Sequence, residues 1–350
     1  MTLYAKWSKD KNPPKTKATY DNPIWNNDDT VAWDCVWFGN YWQTDTNGDG
    51  KADKNDKKEP IKWRVLSASP DDLFLVSDMI LDAKPYEKIE DYVSWDTSTI
   101  RSWLNGYDAS ENIIGKDYSD RGFIDLAFTK SEQSAIKTVE VKNDKSEGNR
   151  YSSHGGNDTK DKIFLLSYKQ INDREYGFSD DEAKKKQVDR DKQNAKMTHF
   201  AWTQGADGDK DNGIWWLRTP FYDGSIGYGY YVSPSKGFAM CNPIENVGVR
   251  PALHVSPSSI KSYAGTVCSA EGEGLLEFQD VKEGVAHYIY FKDQFEKIND
   301  IIVCGEDVID YKISNENQAI VLEGIKKGFA TVIVYNKKGK VIKYIAVKVS

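Results

Sequence analysis

The sequence predicts an α+β main domain over residues 30–260, followed by an all-β sandwich over residues 263–350. The length of 350 residues exceeds what one typical domain needs and favours two. Up to about residue 255, strand-like runs alternate with capped helical segments. From residue 263 onward, apolar and polar residues alternate in seven short runs, which turn sequences such as "NENQ" and "NKKGK" divide.

Aromatic and β-branched residues mark the strands of the main domain. The predicted strands lie in "TVAWDCVWFGNYW", "IKWRVLSA", "DDLFLVSDMIL", "KIFLLS", "GIWWLRTP", "YGYYVSP" and "VGVRPALHV". A helix is predicted in "STIRSWLNGY", because three apolar residues recur at helical spacing behind Ser98 or Thr99 as the N-cap. A second helix is expected after Thr129, which forms a T-x-x-E capping box with Glu132. The charged span 180–196 is predicted to be a long helix or an ordered loop.

Composition excludes several classes of partner. A net charge of −7 argues against nucleic acid or an anionic membrane as the main partner, because both require a basic face. No apolar run reaches the ~20 residues that a spanning helix needs, so we expect no membrane insertion within this chain. The 20 Tyr and 11 Trp exceed the needs of a core and favour a binding surface. Four cysteines form no CxxC motif, and whether Cys268 pairs with Cys304 stays open.

The stretch "DTNGDGKADKND" has the ligand spacing of a calcium loop. Alternate side chains offer oxygen atoms, and Gly50 permits the sharp turn in the middle. The predicted Ca²⁺ ligands are the side chains of Asp45, Asn47, Asp49, Asp53 and Asp56 and the backbone carbonyl of Lys51. The loop resembles those of dockerins and thrombospondin type-3 repeats, although its twelfth position is Asp instead of Glu.

The surroundings of this loop predict a structural Ca²⁺ site. A sensor EF-hand needs a helix on each side, whereas strand-like sequence flanks this single loop. The alternative is a flexible acidic insert without an ion. A second acidic run, "ADGDKDNG" at residues 206–213, lacks the ligands of positions 9 and 12 and is predicted to be a surface loop.

Four groups of segments carry a family resemblance over roughly residues 33–255. They are "FGNYWQ…EPIKWRVLSA…LFLVSDMILDAKPY", "SWDTSTIRSWLN", "AFTKSEQSAI…DKIFLLS" and "WWLRTP…VGVRPALHV". In this order they resemble an uncharacterised domain family of surface and secreted proteins from Gram-positive gut bacteria. The closing pair "WWLRTP" and "GVRPAL" is similar to the end of C-type-lectin-like folds of the formylglycine-generating-enzyme kind. This resemblance implies that Arg218 and Arg250 are buried, each satisfied by a carboxylate or by carbonyl groups. The alternative is that they grip a ligand carboxylate.

The ends of the chain resemble modules of surface proteins. "LYAKW", within residues 1–29, is similar to the last strand of Listeria–Bacteroides-type β-repeats, followed by a linker. The ending "GIKKGFATVIVYNKKGKVIKYIAVKV" is similar to bacterial immunoglobulin-like domains, which commonly act as spacers. These resemblances imply a fragment of a larger protein that is extracellular, either attached to the cell wall or secreted.

The segment 221–246 is the predicted ligand surface. It is rich in Tyr, Gly, Ser and Asn, the composition of recognition loops, and by analogy it matches the variable segment of diversified lectin-like proteins. The alternative is a set of Gly- and Tyr-rich strands packed in a sheet. The candidate ligand-binding residues are Phe221, Tyr222, Asp223, Tyr228, Tyr230, Asn242 and Glu245.

The motifs favour a binding protein over an enzyme. The catalytic branch of the lectin-like fold uses two cysteines near its C-terminus, and the corresponding region here has Cys241 alone. No GxSxG, HExxH or P-loop motif occurs, and only four histidines are present. We therefore predict a non-catalytic recognition or adhesion protein, with a host or dietary glycan or a protein as its ligand. The alternative is a secreted, glycosidase-like hydrolase with a carboxylate pair that spacing does not reveal. Trp202, Trp215 and Trp216 could form a sugar platform but are expected in the core.

Overall fold

The computed structural model describes most of the chain as two compact units. The described residues are 17, 19–25, 30–90, 93–147, 155–178, 192–209, 212–222, 227–233, 237–268, 276–291, 298–304, 308–316, 318–336 and 341–350. The first unit contains the described residues of 1–41 and 58–272, and the second contains those of 42–57 and 273–350. The predicted β-repeat strand "LYAKW" lies outside the described residues, as do positions 180–191 of the charged span that was predicted to be a helix or an ordered loop.

The first unit is built mostly from short antiparallel strands. They are β1 (Ile24–Trp25), β2 (Val31–Tyr41), β3 (Glu59–Ala68), β4 (Leu73–Ser77), β5 (Asp82–Lys84), β6 (Val139–Val141), β7 (Thr159–Asp161), β8 (Ile163–Phe164), β9 (Gly208–Asp209), β10 (Asn212–Gly213), β11 (Trp215–Tyr222), β12 (Gly227–Ser233), β13 (Gly237–Cys241), β14 (Val247–Val249), β15 (Ala252–Val255) and β16 (Ser262–Cys268). Its described helices are short: α1 (Thr99–Asn105), α2 (Phe123–Ala127), α3 (Lys130–Ala135) and α4 (His199–Thr203).

Two main sheets organise this unit. The larger has the order β1-β2-β3-β4-β15-β8, with β16 also paired to β2. The smaller has the order β13-β12-β11-β14-β5. All pairs in these sheets are antiparallel except β11 with β14, where Trp215 lies opposite Gly248. Strands β6 and β7 form a separate two-stranded sheet, and so do β9 and β10.

The predicted strand "VGVRPALHV" forms two strands that belong to different sheets. Strand β14 ends at Val249, and β15 begins at Ala252, after the dipeptide Arg250–Pro251. Proline has no N–H to donate to a ladder, so the break falls where pairing could not continue. The single motif therefore joins the smaller sheet to the larger one.

Local signals in the sequence account for the two predicted helices. The Ser98 side chain caps α1 by accepting a hydrogen bond from the Arg101 N–H, and Gly106 ends the helix with φ 66°. Helix α3 begins with the predicted capping box, in which the Thr129 and Glu132 side chains bond each other's backbone N–H groups. Both helix predictions are confirmed, with shorter helices than the sequence windows.

The second unit contains a two-sheet β-sandwich. Its strands are β17 (Leu276–Val281), β18 (Ala286–Tyr290), β19 (Ile298–Cys304), β20 (Ile309–Ser314), β21 (Ala319–Gly324), β22 (Gly328–Asn336) and β23 (Val341–Val349). One sheet has the order β17-β23-β22-β19 and the other β18-β21-β20. Side chains of both sheets, including Ile289, Leu322, Val332 and Ile345, form one buried core. The seven predicted strands are thus present.

The described structure is mostly β-sheet with a few short helices, consistent with the predicted α+β class. Two details differ from the predicted domain division. Strand β16 starts near the predicted boundary at residue 263 but pairs with β2 of the first unit, with Val267 opposite Trp33. The loop 45–56, predicted as an insert of the first domain, groups with the second unit as part of residues 42–57. Among the described residues, no helix is both long enough and apolar enough to cross a membrane.

Candidate ligand-binding sites

A row of aromatic rings crosses β11 and β12, near the end of the smaller sheet. Phe221 and Tyr228 are cross-strand partners with ring centroids 6.2 Å apart. Phe221 also packs edge-to-face on Tyr230 at 5.3 Å, and Tyr230 continues to Tyr168 at 6.0 Å. The row runs from the buried Tyr168 to the half-buried Phe221 and Tyr228. We call Phe221, Tyr228 and Tyr230, with Met240 of the neighbouring strand, the aromatic edge.

The aromatic edge lies at the terminal strand of its sheet. Strand β13 pairs with β12 on one side and is the last strand of the order. Its Met240 is 46% exposed, and Ile244 in the following turn is 39% exposed. Exposed apolar side chains beside half-buried aromatic rings are typical of contact surfaces.

The seven candidate ligand-binding residues differ in how far their side chains are exposed. Phe221, Tyr228 and Asn242 are half-buried, and Glu245 is exposed. Tyr230 departs from the prediction, because it is 4% exposed and its ring faces other rings. Asp223 and the side chain of Tyr222 lie outside the described part of the chain.

Close packing beneath this edge fixes the strand positions. Trp216 is fully buried, and its indole N–H donates to the Lys84 carbonyl at 2.8 Å. A Cβ atom on Gly229 would lie 2.3 Å from the Trp216 ring, so glycine is required where the ring passes. Trp215 is also fully buried, so both residues belong to the core, as expected, and cannot form an exposed sugar platform.

The two arginines of the closing motifs are buried, in accord with the resemblance. The Arg218 guanidinium donates to the Leu165 carbonyl at 2.9 Å and to a Glu147 carboxylate oxygen at 3.0 Å. Burial lowers its pKa to about 10. For Arg218 the structural expectation is confirmed. Arg250 matches this expectation in part: its Nε donates to the Ser77 carbonyl at 2.9 Å, while Nη1 and Nη2 have no hydrogen-bond partner among the described residues. Its guanidinium lies 4.9 Å from the centroid of the Trp215 ring.

A polar cleft that the sequence did not predict lies beside α1 and β7. Its volume is about 670 Å³, within the usual range for small-molecule sites. Helix α1 supplies Arg101, and the turn after it supplies Tyr107. The carboxylates that line it are those of Asp96, Asp108, Glu111 and Asp158. We call this the Arg101 cleft.

A buried carboxylate holds Arg101 in place. Asp161 accepts hydrogen bonds from Arg101 Nε at 2.9 Å, Trp95 Nε1 at 2.9 Å, Thr159 Oγ1 at 2.6 Å and the Tyr107 hydroxyl at 3.1 Å. With four donors and no exposure, Asp161 has little capacity left for a ligand. Burial and the charge of Asp161 raise the pKa of Tyr107, so this phenol stays protonated.

The hydrogen bonds of the Arg101 guanidinium to described residues use Nε and Nη1 but not Nη2. Nη1 donates to the Asp96 carbonyl at 2.9 Å and to Glu111 Oε2 at 3.2 Å. Nη2 makes no hydrogen bond to any described residue and is not among the buried atoms. Since the side chain is 7% exposed and lines the cleft, we infer that Nη2 faces the cleft.

Two carboxyl groups of the Arg101 cleft have shifted pKa values, and both shifts are downward. Hydrogen bonds from the hydroxyl and N–H of Ser110 lower the pKa of Asp108. A hydrogen bond from the Lys142 ammonium lowers the pKa of Asp158. A glycosidase acid needs the opposite shift, because it must hold a proton at neutral pH. Both shifts favour the ionised form of these groups, which accepts hydrogen bonds.

The predicted Ca²⁺ loop connects β2 to β3, so its strand-flanked setting is confirmed. Tyr41 and Glu59 close the hairpin as the last cross-strand pair before the loop. Within the loop, Asp45 accepts from the N–H groups of Gly48 and Gly50, each at 2.7 Å. Asp56, at the other end, accepts from Thr46 N at 2.7 Å and from two further backbone N–H groups.

The carboxyl group of Asp45 is half-buried and lies within the electrostatic influence of two other loop carboxylates. Burial, together with the nearby charges of Asp56 and Asp49, raises the pKa of Asp45 to about 6. Side chains of Asn47, Asp49 and Asp53 each accept a hydrogen bond from the N–H two residues further on. Among the described residues, no group of three or more His, Cys, Asp or Glu side chains converges as a metal site. Instead, the carboxylate oxygens are turned toward backbone N–H groups.

Sequence reasoning missed the Arg101 cleft because its residues are spread over several turns. A signal did exist in "STIRSWLNG", where Arg101 lies among apolar residues in a helix whose residues are all buried. Buried arginines need fixed partners, so such a position indicates a polar network. No spacing rule links this helix to Asp158 and Asp161, which the fold brings to it.

The sequence profile of a family described as a domain of unknown function (DUF6273) matches residues 70–257. The match includes the Arg101 cleft and the aromatic edge. It ends just before β16 and excludes the Ca²⁺ loop and the second unit.

Among solved structures, one similar chain is the SGBP-B protein of the mixed-linkage glucan utilization locus of Bacteroides ovatus, solved in complex with a mixed-linkage heptasaccharide. The sequence identity is 14%, the TM-score 0.16 and the coverage 40% of this chain. The match spans 36% of the length of that chain. A likeness of this size carries no argument about fold or ligand. No curated protein matches the sequence.

Proposed function

Since the chain belongs to the DUF6273 family through a match over more than half of its length, we propose a function from its own geometry: a non-catalytic recognition or adhesion protein. The protein works outside the cell, attached to the wall or secreted as part of a larger surface protein. Its ligand is a glycan or a protein on a host or neighbouring cell, or a dietary glycan.

The aromatic edge is the observation that carries this proposal. Phe221 and Tyr228 are half-buried, anchored from below by Tyr230, and placed beside the exposed Met240. Rigid rings lose little conformational entropy on binding, because neighbouring rings already fix them. Asn242 and Glu245 in the adjoining turn add polar groups that can orient a ligand.

The finer fold assignments are part of the same proposal. The first unit is a C-type-lectin-like domain, which the buried Arg218 and Arg250 of the closing motifs support. The seven-stranded sandwich of the second unit is a bacterial immunoglobulin-like spacer. The resemblance of "LYAKW" to a β-repeat supports assigning residues 1–29 to the end of such a repeat and a linker, of which Ile24–Trp25 pair with β2.

We also propose that the loop 45–56 holds one structural Ca²⁺ ion. The donor set fits, because hard carboxylate, amide and carbonyl oxygens are the ligands that Ca²⁺ prefers. The raised pKa of Asp45 supports the same idea, since a cation would offset both the burial of this carboxylate and the repulsion from Asp56 and Asp49. The ligands would be Asp45, Asn47, Asp49, Asp53, Asp56 and the Lys51 carbonyl. The bound ion would stiffen the connection between β2 and β3.

The alternative, a glycosidase-like hydrolase, would use the carboxylates of the Arg101 cleft. The lowered pKa values of Asp108 and Asp158 disfavour it, because a glycosidase proton donor needs a raised pKa. The alternative predicts that reducing ends accumulate when the protein is incubated with an oligosaccharide that it binds.

The test of recognition is a binding array of host glycans, dietary glycans and surface proteins, probed with the full chain. The Phe221→Ala/Tyr228→Ala variant should bind the ligand that the array identifies for the wild type at least about tenfold more weakly. Tyr311→Ala is the matched control, since Tyr311 is 37% exposed on the second unit. Binding that survives the double variant, or falls equally in the control, would overturn the role of the aromatic edge.

A further inference from the structure

The Arg101 cleft combines a fixed cationic donor with several carboxylate acceptors. Arg101 cannot move freely, since Asp161 and Glu111 hold its Nε and Nη1 at 2.9 and 3.2 Å. Its Nη2 faces the cleft with no protein partner among the described residues. A buried guanidinium retains such a group at little energetic cost only where water or a ligand satisfies it.

The acceptors surround this donor. Asp96 and Glu111 lie on the short turns that flank α1, while Asp158 immediately precedes β7. Asp96 Oδ2 accepts from the Asn157 amide at 2.8 Å, which orients the carboxylate. Four carboxylates line the cleft against two cationic side chains, those of Arg101 and Lys160, and Lys142 adds a third cation by pairing with Asp158 at 2.6 Å. The excess of negative charge repels anionic ligands.

The chemistry of the cleft selects hydroxyl groups. A hydroxyl can donate to a carboxylate and accept from a guanidinium at the same time, which neither an ammonium nor a carboxylate group can do. Tyr107 adds a half-buried ring at the wall, with the Arg101 guanidinium 4.9 Å from its centroid. A ring of this kind offers apolar surface to C–H groups. The volume of about 670 Å³ leaves room for more than a water cluster.

We propose that the Arg101 cleft binds a neutral saccharide, with its hydroxyl groups between Arg101 Nη2 and the carboxylates of Asp96, Glu111 and Asp158. The inference rests on the proposed recognition function and adds to it a second site and a class of ligand. Asp161 is a positioning residue, because it acts through Arg101 and Tyr107.

The test compares saccharides of different charge on the full chain. The probes are neutral oligosaccharides of glucose, galactose and mannose, oligosaccharides of uronic acids, and cationic chitosan oligosaccharides. Binding is measured by isothermal titration calorimetry at fixed ionic strength. We expect at least one neutral probe to bind, and to bind more tightly than the anionic ones.

Two variants assign the binding to the cleft. Glu111→Gln removes a carboxylate whose side chain is 47% exposed, so folding should survive. It should weaken binding of the neutral saccharide at least about tenfold, the usual effect of losing a charged hydrogen-bond acceptor. Glu175→Gln makes the same chemical change at another exposed site and should leave binding unchanged.

Three other outcomes would overturn the inference that the Arg101 cleft binds a neutral saccharide. If Glu111→Gln has no effect while Phe221→Ala/Tyr228→Ala abolishes saccharide binding, the cleft is not the site, although the recognition function stands. Binding of chitosan alone would show that charge, and not hydroxyl recognition, selects the ligand. If no saccharide binds but a protein ligand does, the recognition function is still supported, whereas the inference that the cleft binds a saccharide is wrong.

Discussion

At the residue scale, Gly229 shows how a single missing side chain permits the packing beneath the aromatic edge. An added Cβ would lie 2.3 Å from the Trp216 ring, which is closer than real contacts allow. Overpacking of this kind costs about 1–3 kcal/mol. We therefore expect Gly229→Ala to lower the free energy of unfolding by that amount in a urea titration. Tryptophan fluorescence suits the measurement, because all 11 Trp residues precede position 217 and none lies in the β-sandwich, whose strands begin at Leu276.

A coupled variant checks the cause. The contacted atoms belong to the six-membered ring of the Trp216 indole, and Trp216→Phe removes that ring position. The double variant should therefore be more stable than the sum of the two single changes predicts. Additive losses would mean that the ring contact is not the source of the strain.

The buried His199 should make the free energy of unfolding depend on pH. Burial lowers its folded-state pKa from 6.5 to about 3. Between these values the unfolded chain binds a proton that the folded chain does not, so stability is intact above pH 6.5 and falls as the pH drops toward 3. This group alone should remove about 2 kcal/mol of stability between pH 7 and pH 5.

The check is to measure the free energy of unfolding at both pH values for the wild type and His199→Gln. The variant should lose about 2 kcal/mol less than the wild type over this interval, whatever its stability at pH 7. Equal losses in the two proteins would show that His199 is not the group that titrates.

At the element scale, short-range signals predicted most of the strands and helix ends. The capping box at Thr129 and the cap at Ser98 were predictable because a few adjacent residues determine them. The split of "VGVRPALHV" was not predicted, since alternation alone does not show that a chain changes sheet. Pro251 was the available signal, because it cannot donate to a ladder.

The loop between β2 and β3 gives the prediction at this scale. Calorimetric titration of Ca²⁺ into the chelator-treated protein should show one site with a dissociation constant below about 1 mM, as in extracellular Ca²⁺ modules. Asp45→Asn and Asp56→Asn should each weaken it strongly. Asn55→Ala is the matched control in the same loop, because its side chain is not a predicted ligand. No binding by the wild type, or equal loss in the control, would contradict the Ca²⁺ proposal.

For the whole molecule, the sequence predicted a chain rich in β-strands with few helices, as the described residues show, but the Arg101 cleft was not predicted from it. Composition and alternation are regional properties, so they identify large regions well. The cleft depends on α1 and β7 meeting in space, which brings Asp161 against Arg101 although 60 positions separate them. The aromatic edge was predicted as a segment, but which of its rings are buried depends on sheet pairing. Tyr230 therefore turned out to be an anchor and not a contact residue.

We propose that this protein binds its ligand without changing it. The most direct measurement is mass spectrometry of an oligosaccharide probe recovered after prolonged incubation with an equimolar amount of the full chain, under conditions in which calorimetry shows saturation. We predict that the probe is recovered at its original mass, with no shorter products and no new reducing ends. Shorter products that form with the wild type and disappear with Glu111→Gln would contradict the account and identify the Arg101 cleft as a hydrolytic site.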